Sequence, residues 1–281
     1  MSIDAKDVAA LRKSTGAGMM DCKKALTETN GDMEAAKNWL REKGLAGAAK
    51  RSDRDANNGA VSVSVDGNVG VLAELTCETD FVAKGDDFTE MLATISGIAA
   101  AGNVDGIADA AYGNGETVGM TVSQLASKIG EKIELGRVIR YESTDGIVDG
   151  YQHNQADRGL IGVLVEIGGV DSANEKAREV AHDIALHIAS ATPRYLTRDE
   201  VPADVVENER QVFETLTRNE GKPEAALPKI VEGRLGGFFK EVVLLEQAFV
   251  RDPKVTIKSL VESLGASASI KRFVRVRAGG E

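Results

Sequence analysis

The 281-residue sequence has few of the residues that proteins use to bind nucleic acids, metals or membranes. Only 4% of the residues are aromatic and the formal net charge is -10, so the chain offers few rings for base stacking and repels phosphate backbones. The two cysteines, Cys22 and Cys77, form no C-x-x-C motif. No apolar run approaches the roughly 20 residues of a membrane span, and the first residues lack the features of a signal peptide. We therefore expect a cytoplasmic protein with reduced thiols and no direct nucleic-acid or membrane partner.

Motifs for nucleotide binding, metal binding and catalysis are also missing. The run Gly16-Ala17-Gly18-Met19-Met20-Asp21 matches a glycine-rich phosphate loop only until its sixth position, and it follows a predicted helix rather than a strand. His182 and His187 are five residues apart, which rotates them about 140° from one another on a helix, so they cannot share a zinc ion. No G-x-S-x-G motif and no recognisable pair of acids is present. The sequence therefore predicts no cofactor, no metal, no direct nucleotide binding and no enzymatic activity, but a protein that works by binding.

The N-terminal part of the sequence has the period of three short helices. Gly16-Ala17-Gly18 and Asn30-Gly31 separate the apolar segments of residues 4–48, and Asp32 is placed to cap the third helix. We assign residues 1–50 to a three-helix module. The polar run of residues 51–59 has no apolar period and is assigned to a linker.

The rest of the sequence repeats one order of elements, in which two strands precede helices and a further strand. Asp66-Gly67 marks the turn of the first hairpin, and Thr121 and Ser172 are predicted to start helices. The predicted strands are residues 61–65, 69–76, 138–141, 147–153, 160–167 and 273–276. We infer an α+β protein with two related subdomains built on antiparallel sheets, one at 60–145 and the other at 146–197 and 238–281.

Residues 198–237 interrupt the second subdomain. Their apolar pattern predicts two long helices folded back on each other at Gly221-Lys222-Pro223. Such an arm either covers part of the core or provides a surface for self-association, and so for a homodimer, or for partner contact. The sequence leaves these alternatives open.

The run Glu78-Thr79-Asp80-Phe81-Val82-Ala83-Lys84 places an acid beside an aromatic residue where a strand leads into a helix. Thr79 or Asp80 is suited to cap that helix. A turn of this kind can present both side chains outward. Alternatively Phe81 packs in the core, as aromatic residues at helix starts usually do.

Two segments of the sequence resemble the signature segments of bacterial translation elongation factor Ts. They are Thr15-Gly16-Ala17-Gly18-Met19-Met20-Asp21-Cys22-Lys23-Lys24-Ala25-Leu26 and Thr79-Asp80-Phe81-Val82-Ala83. The resemblance continues in order along nearly the whole chain, through Lys128-Ile129-Gly130-Glu131, Gly150-Tyr151-Gln152-His153, His187-Ile188-Ala189 and Val231-Glu232-Gly233-Arg234. It implies an N-terminal module similar to ubiquitin-associated (UBA) domains, a core of two α+β subdomains and a coiled-coil-like arm.

The resemblance also implies a function, which is guanine-nucleotide exchange on elongation factor Tu, the GTPase that delivers aminoacyl-tRNA to the ribosome. Asp80 and Phe81 would enter between helices of the GTPase domain as a wedge and disturb the Mg²⁺ and phosphate side of its nucleotide site. The further partner-binding residues implied are Lys23, Val82, Ile129, Gly130 and His153. From the residues alone, Lys23 is equally a solvated lysine, Ile129 a core residue and His153 an ordinary surface histidine. The competing functions are an adaptor that binds a protein through the three-helix module and an enzyme with an unrecognised site.

Overall fold

The protein combines helices with antiparallel strands, so the predicted α+β class is confirmed. The computed structural model describes residues 3–49, 51–102, 104–113 and 115–280, and within them all side chains except those of residues 45, 46, 48 and 49. Residues 1, 2, 50, 103, 114 and 281 fall within the predicted domains but lie outside the described residues.

Three helices form the N-terminal module, as the sequence predicts. They are α1 (Ala5–Thr15), α2 (Met19–Glu28) and α3 (Met33–Ala49). Leu11, Cys22 and Leu26 are buried where the helices meet. The predicted cap of the third helix is present, because the Asp32 carboxylate accepts a hydrogen bond from the Ala35 N–H. α3 packs against the subdomain that follows.

The first subdomain follows with three strands and three helices. They are β1 (Asn58–Asp66), β2 (Val69–Cys77), α4 (Asp80–Ala83), α5 (Asp86–Ala100), α6 (Val118–Ile129) and β3 (Ile133–Glu142). The strands pair antiparallel in the order β1-β2-β3, and the predicted hairpin joins β1 to β2.

The second subdomain repeats this arrangement and carries the arm. Its elements are β4 (Gly146–Gln155), β5 (Arg158–Gly168), α7 (Glu175–Ala191), α8 (Ala203–Asn219), α9 (Leu227–Val242), β6 (Ala248–Phe249), β7 (Asp252–Thr256), α10 (Ile257–Glu262) and β8 (Ser269–Arg277). The main sheet has the antiparallel order β4-β5-β8, which matches β1-β2-β3. The repeated element order that the sequence predicts is therefore present as a repeated sheet topology.

The two sheets stack face to face, and the helices cover their outer faces. Val61 and Leu72 from the first sheet meet Val148, Leu164 and Val276 from the second in a buried apolar layer. Three glycines, Gly70, Gly150 and Gly162, permit this approach. A Cβ atom on Gly70 would lie 2.6 Å from Val148 Cγ1, and one on Gly162 would lie 2.9 Å from Leu72 Cδ1. Larger side chains there would push the sheets apart.

The arm is formed by α8 and α9, and the predicted break at Gly221-Lys222-Pro223 is confirmed. α9 continues to Val242, beyond the predicted end of the arm at residue 237. Arg210 lies 2.7 Å from Glu232, so an ion pair joins the two helices. At the foot of the arm Val206 packs with Phe238 and Phe239.

Two predicted helix starts are wrong in detail, and a third predicted helix is divided in two. The hydroxyl of Thr117 caps α6 by accepting the Met120 N–H, whereas Thr121 lies inside the helix and donates to the Thr117 carbonyl. The side chain of Asn174, and not that of Ser172, caps α7. The helix predicted near Phe81 is split into α4 and α5, because Gly85 adopts an extended conformation and begins a new helix.

Candidate partner-binding surface

The Thr79–Val82 segment forms a rigid turn between β2 and α5. Thr79 has extended backbone dihedral angles, and its hydroxyl accepts the Val82 N–H at 3.4 Å, so Thr79 caps the single helical turn of α4. Ala83 is fully buried, and Val82 packs against the core of the first subdomain. Because successive helical residues differ in direction by about 100°, anchoring Val82 and Ala83 inward directs Phe81 away from the core.

Phe81 is 82% exposed, the largest value among the large hydrophobic side chains of the described residues. The alternative in which Phe81 belongs to the core is therefore wrong. Phe88, seven residues later, is fully buried and fills that role. An aromatic ring held in water on a fixed backbone is unfavourable for the free protein and typical of an interaction surface.

Asp80 lies beside Phe81 and is partly exposed. Lys84 Nζ donates a hydrogen bond to Asp80 Oδ2 over 2.6 Å and lies 6.0 Å from the centre of the Phe81 ring. This hydrogen bond lowers the pKa of the Asp80 carboxyl, with a smaller contribution from the charge of Arg158. Asp80 is therefore ionised at neutral pH. Arg158 itself, at the tip of the β4-β5 hairpin, donates a hydrogen bond to the Gly59 carbonyl on β1 at 2.7 Å.

Ile129 and Gly130 lie next to the turn, at the end of α6. Gly130 has a φ of 89° and donates its N–H to the Ala126 carbonyl, which ends the helix in the left-handed conformation that glycine favours. Gly130 is exposed, and Ile129 is half-buried against the core. Glu131 joins them to the turn, since its carboxylate accepts both the N–H and the hydroxyl of Thr79 at 3.1 and 2.7 Å.

His153 is exposed on β4 of the second subdomain. The Tyr151 hydroxyl lies 3.2 Å from His153 Nδ1, and the Tyr151 ring makes an edge contact with His182. His182 in turn lies 3.1 Å from the carboxylate of Asp149, whose pKa is raised by burial. The side chain of His153 is therefore supported by a polar chain that runs along the sheet to α7.

Lys23 lies on a different part of the surface, on α2. It is exposed, and so are Met19 and Met20 at the start of the same helix. α3 carries this module against α6, where the Ser127 hydroxyl donates to the Gly44 carbonyl. The Thr79–Glu131 hydrogen bonds thus join the segment of Asp80 and Phe81 to that of Ile129 and Gly130, whereas Lys23 lies on the N-terminal module and His153 on the second subdomain.

Among residues 3–280 as described, no three histidine, cysteine or acidic side chains are grouped to hold a metal ion. Within the same residues no helix is long and apolar enough to cross a membrane. Both cysteines are buried as free thiols, and burial raises the pKa of Cys77 to about 12.

Comparison with known families decides the classification. A family model described as "Elongation factor TS" matches residues 78–280. This chain belongs to the elongation factor Ts family. A second family model, "Elongation factor Ts, mitochondrial, N-terminal", matches residues 1–47.

Several relatives named elongation factor Ts align with the whole chain. The protein from Thermobifida fusca is 48% identical over 282 residues, and the alignment covers 98% of each chain. The proteins from Micrococcus luteus and Kineococcus radiotolerans are each 46% identical over 280 residues, also covering 98% of each chain. The resemblance found in the sequence is thereby confirmed, and the chain has the role of a translation elongation factor.

In this member of the elongation factor Ts family, two residues of the surface were missed as site residues in the sequence. Glu131 ends one of the segments that carry the family resemblance and Glu78 directly precedes another, yet their contacts join positions more than 50 residues apart. The available signal was an acid directly beside each predicted contact segment. That signal alone does not distinguish a structural carboxylate from a solvated one.

Proposed function

We propose that this chain is a guanine-nucleotide exchange factor that binds elongation factor Tu and promotes the release of GDP. The observation that carries the proposal is the exposure of Phe81 on a turn fixed by Thr79 and Glu131. Membership of the elongation factor Ts family supports the choice of partner. In this role the chain acts only by binding its partner.

In this proposal Phe81 is an apolar wedge and Asp80 is its polar anchor. Together they enter between helices of the GTPase domain and disturb the Mg²⁺ and phosphate side of the nucleotide site. Because the turn is already ordered in the free protein, little conformational entropy is lost when the wedge binds. The exchange factor binds the nucleotide-free partner more tightly than the GDP-bound partner, and this difference in affinity drives GDP release.

The remaining contacts surround the wedge. Lys23 contributes a charge from the N-terminal module, Ile129 and Gly130 contribute the end of α6, and His153 contributes from the second subdomain. Val82 differs from these residues because it packs against the core, so its main role is to hold Phe81 in place.

A kinetic assay tests the proposal directly. Release of a fluorescent GDP analogue from the matching elongation factor Tu is followed with and without this protein, and the proposal predicts faster release in its presence. The affinity of the two proteins is then measured with and without saturating GDP. GDP must weaken the protein complex by the same factor by which the complex weakens GDP binding. Equal affinities under both conditions would rule out exchange.

The exposed side chains of Met19 and Met20 beside Lys23 favour a second candidate, a non-catalytic adaptor that binds a protein through the three-helix module. An adaptor would bind its partner without changing the rate of GDP release. The same kinetic assay therefore separates the two functions.

A further inference from the structure

Two glutamates occupy matching positions where the first sheet ends. β2 and β3 are adjacent antiparallel strands, and their last paired residues are Cys77 and Ile133. Glu78 follows Cys77 directly, and Glu131 precedes Ile133 by two residues. The segments beyond the ladder therefore leave the sheet side by side, one leading to α4 and the other arriving from α6.

Each glutamate accepts the backbone N–H of the opposite segment. Glu78 Oε1 accepts the Lys132 N–H at 2.6 Å, and Glu131 Oε2 accepts the Thr79 N–H at 3.1 Å. Glu131 also binds the Thr79 hydroxyl through its second oxygen, at 2.7 Å. Beyond the last strand pair, these two carboxylates provide the acceptors that a continued ladder would have supplied. Hydrogen bonds to ionised groups are shorter and stronger than neutral ones.

The reciprocal bonds control the position of the wedge through Thr79. Thr79 caps α4, and Phe81 is the second residue of that helix. Glu131 holds both the backbone and the hydroxyl of Thr79, so it sets the direction in which α4 starts. At the other side, the bond from Lys132 to Glu78 fixes the chain two residues after Gly130.

The linker to the N-terminal module joins the same group. Arg54 Nη1 lies 3.1 Å from Glu78 Oε1, and the Asn58 side chain donates to the Glu78 carbonyl at 2.9 Å. Lys132 Nζ donates to the Ser52 carbonyl at 2.9 Å. Contacts to Glu78 and Lys132 thus connect the linker to both segments of the surface.

We propose that Glu78 and Glu131 form a reciprocal clasp whose role is to hold the Asp80-Phe81 turn and the Ile129-Gly130 helix end in one binding geometry. They are positioning residues, since their oxygens are engaged within the protein. The inference rests on the proposed exchange function and adds to it a specific requirement. Exchange depends on two residues that need not touch the partner.

The decisive variant is Glu131→Ala, which removes the acceptors of two Thr79 hydrogen bonds. We expect the efficiency of GDP release to fall about tenfold, as the loss of charge-assisted hydrogen bonds implies. Glu131→Gln keeps one carbonyl oxygen and should fall between Glu131→Ala and the unaltered protein. Glu78→Ala should act in the same direction. Because both glutamates hold the same two segments, the double alanine variant should lose less than the product of the single losses.

Backbone hydrogen exchange provides a readout that an ordinary loss of stability does not reproduce. In Glu131→Ala, amide exchange should become faster in residues 78–84 and 129–132 and stay unchanged in β5. Glu200→Ala is the matched control, because Glu200 also accepts a backbone N–H, that of Leu196 at 2.8 Å, in the second subdomain. Glu200→Ala should leave both GDP release and the exchange of residues 78–84 unchanged.

Two results for Glu131→Ala would overturn the proposal. Wild-type rates of GDP release with faster local exchange would show that the fixed geometry is unnecessary. Slow release with unchanged local exchange would show that Glu131 contacts the partner directly. If Glu131→Ala lowers the melting temperature far more than Glu200→Ala, the same two criteria are applied to Glu131→Gln. If the unaltered protein fails to accelerate GDP release, the proposed function itself is wrong and the clasp has no role in exchange.

Discussion

Lys84 donates a hydrogen bond of 2.6 Å to Asp80, four residues earlier along the chain. In the free protein the acid of the wedge is thus already paired, and the same ammonium group lies beside the Phe81 ring. The pair is surface-exposed, so its effect on fold stability is small. The pair does change the charge on this surface, because a binding partner meets the Asp80 carboxylate and the Lys84 ammonium group together and not an isolated carboxylate.

Replacing Lys84 by Met should raise the pKa of Asp80 towards its ordinary value, because the main cause of its lowered pKa is removed. The pKa of Asp80 is lower in the folded protein than in the unfolded chain, so the ionised carboxylate stabilises the fold. The pair adds to the free energy of unfolding at pH values at and above the ordinary aspartate pKa, and this contribution is lost as the pH falls through the lowered pKa of Asp80. Carboxyl NMR titration of Asp80 measures the shift. Lys37→Met, which breaks the distant pair with Glu34, is the control and should leave the titration of Asp80 unchanged.

Truncation of Phe81 to Ala should impair exchange while sparing the fold. The exposed ring is desolvated only in a complex, where an aromatic anchor contributes about 2 kcal/mol or more. Phe88→Ala is the opposite case, since its ring is fully buried and its loss should cost about 3 to 5 kcal/mol of stability. Thermal unfolding and GDP-release kinetics on both variants separate the two effects. A large drop in the melting temperature of Phe81→Ala would contradict the assignment.

Stability should depend on pH through His187. Its Nε2 lies 2.9 Å from Gln247 Oε1, and its Nδ1 accepts the Val250 N–H, so the folded protein requires the neutral ring. Burial lowers the pKa of His187. The stability is therefore complete above the ordinary histidine range and falls at lower pH, where only the unfolded chain takes up the proton, by up to about 1.4 kcal/mol per pH unit.

His187→Gln tests this effect by chemical unfolding between about pH 7 and pH 5. At the upper pH the variant should have a smaller free energy of unfolding than the unaltered protein. At the lower pH this difference in free energy should narrow, because the unaltered protein loses stability through His187 whereas glutamine does not titrate. His153→Gln, at an exposed position, is the control. A difference that stays constant with pH would show that His187 does not control this dependence.

Removal of residues 1–55 should leave a folded core. Among the side chains that the structure describes, the apolar clusters of the two subdomains contain none before Ala60, and the Ser127–Gly44 hydrogen bond between α6 and α3 is exposed. Affinity for elongation factor Tu should nevertheless fall, because Lys23 is lost together with the Arg54 contact to Glu78. Calorimetry of unfolding and of binding measures both effects. Unchanged affinity in the truncated protein would remove the N-terminal module from the proposed interface.

Shortening the arm should spare both the fold and GDP release. The packing of the arm determines which residues can be removed. Val206 packs at the foot with Phe238 and Phe239 and must stay, whereas residues 211–231 can be replaced by a short glycine-rich turn. Val212 and Leu216 are exposed on one face of α8, so self-association through the arm should be lost with them. Light scattering of the intact and shortened proteins measures this. Equal masses would identify the arm as a cover for the core alone.

Local sequence patterns predicted the elements better than their ends. The alternation of residues 61–65 is determined within one hairpin, so the predicted hairpin was confirmed, but its two turn residues are Gly67 and Asn68 because Asp66 still pairs with Val69. The cap at Thr121 was wrong, since Thr117 provides an equally good local signal and the burial of Val118 selects it. β6, β7 and α10 were not predicted, because they are short and are stabilised by packing against the second subdomain.

The candidate surface was likewise predicted only in part from the sequence. The exposure of Phe81 was one of two alternatives in the sequence, and only the packing of Val82 and Ala83 decides between them. The bonds made by Glu78 and Glu131 connect distant parts of the chain, and no local pattern encodes which carboxylate meets which N–H.

The pairing of β8 with β5 also determines the order in which the protein can fold during its own synthesis. The first sheet has all its strands once Glu142 has been made, whereas the second lacks β8 until residue 277. The Glu166–Arg272 ion pair of that late pairing spans 106 residues, including the arm. Contacts so distant in sequence form slowly, and until they form β5 remains an unpaired edge prone to aggregation. The nascent chain therefore completes the β1-β2-β3 sheet, which leads into the Asp80-Phe81 turn, well before the β4-β5-β8 sheet that packs against it.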